Sequence, residues 1–208
     1  MIRLFDIVIS ILVIIILLPV FLILSVLIKL SSRGPVIFKQ SRVGRFNHDF
    51  LVFKFRTMYV NSDTKGLLTV GSKDGRVTPI GFYLRIYKLD ELPQLFNVLF
   101  GQMSLVGPRP EVRKFVEVYD ASQREILQIR PGITDWASII YKDENALLEF
   151  SKNPEEDYIQ KIIPDKIKYN RIFLEKYNLS EYFKILFNTA IKLLNNLQLQ
   201  NQRKTNNF

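Results

Sequence analysis

Asp90 and Glu91 are adjacent carboxylates with cations close on either side in the sequence. Lys88 precedes Asp90 by two residues and Arg85 by five. Lys54 and Arg56 share one face of a candidate strand, because side chains two apart point the same way. Arg109 lies between Pro108 and Pro110, which fixes its direction at low entropic cost. An Asp at a helix start also has free backbone N–H groups and the positive end of the helix dipole beside it, a place that suits a phosphate. The plainer reading of the pair is an N-cap followed by an acidic first turn. The cations point further: a carboxylate pair amid guanidinium groups fits the handling of phosphate esters, and a divalent cation lets a carboxylate and a phosphate approach each other.

Composition narrows the chemistry. The chain has 208 residues, enough for one ordinary domain. It carries 29 Lys and Arg against 20 Asp and Glu, a formal net charge of +9, which favours an anionic partner: nucleic acid, phospholipid head groups or a phosphorylated small molecule. There is no cysteine, so disulfides, thiolate zinc sites and cysteine nucleophiles are excluded. The single histidine, His48, rules out a multi-histidine metal centre and reads as a solvated turn residue. Nucleic acid is not expected: the basic residues are scattered, no helix carries a basic stripe, and neither a Walker A nor a G-x-G-x-x-G pattern occurs.

The elements that must position these groups begin with a membrane segment. Ile7 to Ile28 is apolar except for Ser10, Pro19 and Ser25, roughly 33 Å of helix at ~1.5 Å per residue. It lacks the cleavage site of a secretory signal and the polar stripe of a core helix. Lys29, Arg33, Lys39, Arg42 and Arg45 crowd its C-terminal flank and place that side in the cytoplasm. Pro19 removes one backbone hydrogen bond and bends the helix, and the residues alone leave a spanning and a re-entrant course both open.

Beyond residue 30, short strands are expected at Val36–Phe38 and Phe50–Arg56, and a mobile polar loop at Asn61–Arg76. Thr78-Pro79 should cap a helix running to Tyr87. A second helix should begin at Asp90 and end at Gly101. Met103–Val106 reads as a strand, 107–110 as a rigid loop, 111–128 as helical, Trp136–Tyr141 as extended, and the chain from Glu144 as helical again. Residues 182–194 are amphipathic with lysines on the polar side, which suits equally a helix on a membrane surface and a core-packing helix. Residues 195–208 are polar and read as a disordered tail. There is no internal repeat.

The sequence resembles the bacterial sugar transferases, the monotopic phosphoglycosyl transferases that start glycoconjugate assembly on a polyprenyl phosphate. The matching stretches are Arg3-Leu-Phe-Asp6, Gly34-Pro-Val-Ile-Phe-Lys-Gln40 with Arg42-Val-Gly44, Lys54-Phe-Arg-Thr-Met58 and Leu89-Asp-Glu-Leu-Pro-Gln-Leu-Phe-Asn-Val-Leu99. Met103-Ser-Leu-Val-Gly-Pro-Arg-Pro110 and Arg130-Pro-Gly-Ile-Thr134 follow, in the family's order and across roughly residues 1–140.

The resemblance implies transfer of a sugar-1-phosphate from a UDP-sugar to undecaprenyl phosphate with release of UMP. It implies Asp90 as the nucleophile, forming a covalent phosphosugar intermediate, and Mg2+ as cofactor at Asp90. Glu91 matches the second acid of the pair, Arg56, Arg85 and Arg109 match basic positions assigned to phosphate or uridine, and Pro108 and Pro110 would help seat the nucleotide. It also implies a re-entrant helix broken at Pro19, with both ends cytoplasmic at the inner membrane of a bacterium. Departures from the family pattern are Leu18 before Pro19 where Ser is usual, Lys88 for Ser or Thr, Thr57 for Ser, and Asp135 where Gly is common.

The expected protein is an α/β domain, mostly helical with short strands. A membrane-embedded helix over 1–30 precedes a cytoplasmic catalytic domain over 31–194 that ends in amphipathic helices. Expected partners are membrane phospholipid, the polyprenyl phosphate acceptor, the UDP-sugar donor and downstream glycosyltransferases. Two other readings use the same residues: a metal-dependent phosphodiesterase or hydrolase, and a catalytically silent scaffold of a polysaccharide assembly.

Overall fold

The computed structural model describes residues 1–60, 74–140, 148 and 151–205, with side chains described up to residue 195. The expected loop at Asn61–Arg76 falls mostly outside the described residues, as does the helix start at Glu144. The domain is mostly helical with short strands, as the sequence implies.

Helix α1, Ile2–Ser31, winds without interruption through Pro19, so the break expected there is not seen: the proline removes one backbone bond and the turns on either side carry the helix through. It is the one described helix long and apolar enough to cross a membrane. A hairpin follows: β1, Ile37–Val43, pairs antiparallel with β2, Asp49–Phe55, in a register that sets Ile37 opposite Phe55 and Val43 opposite Asp49. β1 is longer than the expected Val36–Phe38, because β2 supplies a partner for polar residues 39–42 whose sequence alone signals no strand. Helix α2, Pro79–Ile86, starts as expected: Thr78 Oγ1 accepts from the Gly81 N–H at 3.0 Å.

The next helix departs from expectation. Asp90 is not its cap. Residues Leu89–Glu91 form one tight 3-10 turn, and α3 spans only Gln94–Leu99 after Pro93. The buried Asn97 holds α3 against the edge of β2, donating to Leu51 O at 2.7 Å and accepting from Phe53 N–H at 2.9 Å. Strand β3, Ser104–Val106, pairs in parallel with an unforeseen β4, Gly132–Thr134. A Cβ on Gly132 would stand 2.1 Å from the Gly107 nitrogen, so only glycine lets the two backbones meet here.

The expected helix over 111–128 is two pieces, α4 at Arg113–Glu117 and a 3-10 segment at Gln123–Gln128. Between them Asp120 Oδ1 accepts from Gln123 N–H and Ser122 Oγ, a local turn that competes with helix. Trp136–Ile140, expected as extended, is helix α5. Asp135 caps it, its Oδ1 accepting from Ser138 N–H at 2.7 Å, and the cap overrides the β preference of Ile139 and Ile140. Helix α6, Pro154–Asp157, leads through a π-turn at Tyr158–Ile162 into α7, Ile163–Glu175. Helix α8, Leu179–Thr205, is longer than the amphipathic stretch predicted it. Residues 195–205, expected as a disordered tail, continue it, since Gln, Leu, Lys and Arg are good helix formers that extend an existing nucleus.

The core has three apolar clusters, and α1 takes part in two. Leu24 and Ile28 pack with Phe55 and Leu84. Ile9 and Val13 pack on a cluster around Val98, Met103, Phe173, Tyr182 and Ile185. The third cluster joins Val43, Phe115, Tyr158 and Ile162. Polar bonds fix the N-terminal end of α1. Arg3 donates to Val98 O and Leu99 O, and buried Asp6 accepts at one oxygen from Ser104 Oγ at 3.0 Å, Leu105 N–H at 2.9 Å and Tyr182 Oη at 2.8 Å. A buried donor left without its acceptor costs roughly 1–3 kcal/mol. Asp6→Ala is therefore expected to lower the unfolding free energy in detergent by about 3 kcal/mol or more, and Tyr182→Phe by about 1 kcal/mol. Equal stability of Asp6→Ala and wild type in urea titrations would contradict this anchor.

Candidate active site

The acid pair sits on the 3-10 turn that follows Lys88, whose backbone is left-handed at φ 57°. A non-glycine residue holds that conformation only where its surroundings enforce it. The turn gives the two carboxylates different fates. Glu91 faces a cage of cations: Arg109 grips both its oxygens, Nη1 to Oε2 at 3.0 Å and Nη2 to Oε1, and Lys54 Nζ lies 3.8 Å from Oε1. Burial alone would raise its pKa, but Arg109 and then Lys54 outweigh burial and hold the carboxyl well below the usual range. Asp90 is buried and its Oδ1 has no hydrogen-bond partner. Burial first, and then the charge of Glu91, push its pKa up, against opposing pulls from Lys54, Lys88 and Arg85. The site thus holds one spent carboxylate and one unspent carboxylate.

Arg109 is aimed from its backbone. Gly107 N–H donates to Thr134 O at 3.0 Å, the Arg109 N–H donates to Asp135 Oδ2 at 3.3 Å, and Arg42 Nη1 donates to Pro110 O at 3.2 Å. Pro108 and Pro110 are buried and brace this loop. Asp135, which departs from the family's usual glycine, therefore has two roles, capping α5 and holding the Arg109 backbone.

The other predicted residues divide. Arg85, on α2, donates through Nε to Thr57 Oγ1 at 2.9 Å, and its charge acts on Asp90. Thr57 keeps the hydroxyl that the family's serine would offer. Arg56 is not in the site. Its buried guanidinium donates to Ile28 O, Ser32 O, Ser32 Oγ and Arg33 O and closes the C-terminus of α1. β2 ends at Phe55, so the period-two argument that put Arg56 beside Lys54 fails one residue past the strand, and acceptors at the end of α1 and just beyond it take the guanidinium instead. Lys54 is the residue that joins Asp90 and Glu91. The strand reading sets it among the cations around the pair; the Asn97 clasp beside it on β2 is the long-range contact that sequence spacing does not reveal.

Among the described residues, no cluster of three or more His, Asp or Glu side chains could enclose a metal. One unpartnered carboxylate oxygen is nonetheless the donor set that Mg2+ suits, since that ion is bound through one or two carboxylates and the phosphates of a substrate. Asp90 fits this role, and Glu91, neutralised by Arg109 and Lys54, does not.

The chain belongs to the bacterial sugar transferase family, whose model matches residues 1–196. Over 128 residues it is 48% identical to the UDP-N-acetylgalactosamine-undecaprenyl-phosphate N-acetylgalactosaminephosphotransferase of Aeromonas hydrophila, covering 59% of this chain and 30% of that protein. Over 197 residues it is 36% identical to the UDP-glucose:undecaprenyl-phosphate glucose-1-phosphate transferase of Klebsiella pneumoniae, covering 91% of this chain and 39% of the relative. A putative undecaprenyl-phosphate N-acetylgalactosaminyl 1-phosphate transferase of Bacillus subtilis is 44% identical over 117 residues, 56% of this chain and 62% of its own. The chain thus spans less than two thirds of the length of these relatives.

Lys54 supplies a test of the electrostatics. Burial, with Arg109 and Arg42 nearby, outweighs the attraction of Glu91 and lowers its pKa from 10.5 to about 8. Its charge is therefore lost as pH rises through about 8. Competitive labelling of amines with acetic anhydride, read by peptide mass spectrometry, is expected to show a Lys54 midpoint near pH 8, well below those of exposed lysines. A midpoint above 10 would contradict the cage described here.

Proposed function

We propose that this chain transfers a sugar-1-phosphate from a UDP-sugar to a polyprenyl phosphate, normally undecaprenyl phosphate, and releases UMP. The observation that carries the proposal is the pairing of an unpartnered, buried Asp90 oxygen with a Glu91 already saturated by Arg109 and Lys54. Family membership and the names of the relatives support the reaction class.

In the first step an Asp90 carboxylate oxygen attacks the phosphorus that bears the sugar. The new O–P bond forms as the bond to the uridylyl phosphate breaks, and the electron pair leaves with UMP. In the second step an oxygen of the lipid phosphate attacks the same phosphorus and Asp90 departs as a carboxylate. No proton need be removed from the nucleophile, so one histidine in the chain is no obstacle. Asp90 would hold Mg2+ together with the donor's phosphates, and the ion supplies neutralisation of their charge. Lys54 and Arg85 add fixed positive charge on the approach to Asp90 and lessen its repulsion from a diphosphate. Glu91 keeps Arg109 in place.

We also assign the protein to the cytoplasmic face of a bacterial inner membrane, with α1 entering and leaving by one leaflet. Both ends of α1 are bonded to the same body, through Arg3 and Asp6 at one end and Ile28 to Arg33 at the other. A span with the body on one side would contact it at one end. The outer face of α1 is apolar and bare, with Ile16 72% exposed. Phe5 meets Phe183 edge to face at 5.2 Å, which continues this face onto the exposed Phe183, Phe187 and Leu194 of α8.

Brief incubation of detergent-solubilised protein with a UDP-sugar is expected to leave a phosphosugar adduct on the peptide containing Asp90. Release of UMP should continue only when polyprenyl phosphate is added, which separates transfer from hydrolysis. Asp90→Asn is expected to lose the adduct and at least roughly 10^4-fold in turnover, the scale on which covalent nucleophiles matter. Wild-type lipid loading by that variant would defeat the proposal. For the membrane course, Ile2→Cys and Arg33→Cys are expected to be labelled from the same, cytoplasmic side; labelling of position 2 from outside would establish a span.

A further inference from the structure

Behind the loop that carries Arg109 lies a second group of buried charges, which the transfer chemistry does not use. Glu111 follows Pro110 directly and is buried. Its Oε1 accepts from Tyr158 Oη at 2.6 Å and from Lys166 Nζ at 2.7 Å, while Arg42 Nη1 lies 3.6 Å from Oε2. Lys166 Nζ is also 3.1 Å from Tyr158 Oη, so the three groups close a triangle, and the lysine side chain is 7% exposed. Arg42 ties the triangle to the loop through Pro110 O, and Val43 N–H ties it to β1 through Glu111 O at 2.9 Å. Residues 110 and 111 are thereby held from α7, from the π-turn and from β1 together. On the other side of the loop, Asp135 holds the Arg109 N–H.

We propose that Lys166 is a positioning residue for the active site: by fixing Glu111 it sets the base of the 107–110 loop, and through that loop it keeps the Arg109 guanidinium on Glu91. The inference extends the transferase reading and rests on it for its kinetic arm. Its physical basis is that a buried carboxylate deprived of its ammonium partner must move toward water or toward another donor. The backbone that would move with Glu111 is that of residues 107–111, which it joins directly. If the triangle only added stability, replacing both charges with neutral groups would restore full function, because buried ion pairs contribute little net stability over neutral groups of similar shape. If it positions Arg109, the rate stays low after stability returns.

The test has two arms. Hydrogen exchange followed by mass spectrometry reads the loop without reference to activity. Lys166→Met is expected to speed amide exchange at residues 107–111, and Lys166→Arg to leave it near wild type. In UDP-sugar kinetics, Lys166→Met is expected to lower kcat/KM at least tenfold, with Lys166→Arg recovering most of it. In an Arg109→Ala background, Lys166→Met should cost less than a further twofold, since its effect runs through Arg109. Should Lys166→Met not fold, the double variant Glu111→Gln with Lys166→Met carries the same test. It is expected to regain the thermal stability of the wild type without its rate. Unchanged exchange in Lys166→Met, losses that multiply with Arg109→Ala, or full rate in the neutral pair would each overturn the proposal. A wild-type protein that transfers no phosphosugar would defeat the reading of function, while the exchange arm would still decide whether Lys166 sets the loop.

Discussion

The bidentate contact between Arg109 and Glu91 is the interaction on which the rest of the site depends. Two adjacent carboxylates in a buried turn repel each other and resist ionisation. Arg109, supported by Lys54, neutralises one of them, and this leaves the other with a buried oxygen that no protein group occupies. Much of the surrounding structure serves that contact. The Gly107–Gly132 approach pairs β3 with β4, Asp135 and Arg42 hold the loop between them, and the hairpin brings Lys54 across from the other side. The electrostatic difference between Asp90 and Glu91 is thus an outcome of what surrounds them, since the two side chains differ by one methylene.

The body also makes the long apolar helix α1 part of its core. Asp6 is bonded to β3, the strand that leads directly into the Arg109 loop, and Arg56 closes the other end of the same helix. The apolar face of α1 and that of α8 meet at Phe5 and Phe183. Under the proposed transfer the reactive carboxylate must sit at a fixed depth relative to the lipid surface, and bonds from the helix into β3 would supply a rigid connection for that purpose.

The sequence was informative where local chemistry decides structure. The Thr78-Pro79 helix start, the β2 strand, the turn at Gly101 and the apolar run of α1 follow from capping, β-branching, backbone freedom and length. The acid pair and Arg109 were legible because two prolines and clustered charge are local signals. What stayed hidden was set by contacts far along the chain. Arg56 looks like a phosphate ligand until the end of α1, about 25 residues earlier, is seen to need its donors. Lys54 is legible beside the acid pair, but the Asn97 clasp on β2 that helps place it is not. The Trp136 segment carries β-branched residues that suggest a strand, and a single cap at Asp135 decides otherwise. Glu111 and Lys166 are 55 residues apart and no spacing rule links them.

The most direct test of the unequal carboxylates is to watch both titrate in the same molecule. With 13C-labelled Asp and Glu side chains and assignment by Asp90→Asn and Glu91→Gln, NMR across pH would follow each carboxyl signal. The account predicts that Asp90 takes up its proton above the ordinary value of 3.8, while Glu91 remains ionised well below 4.5. The reverse order, with Glu91 protonating first as pH falls, would contradict it.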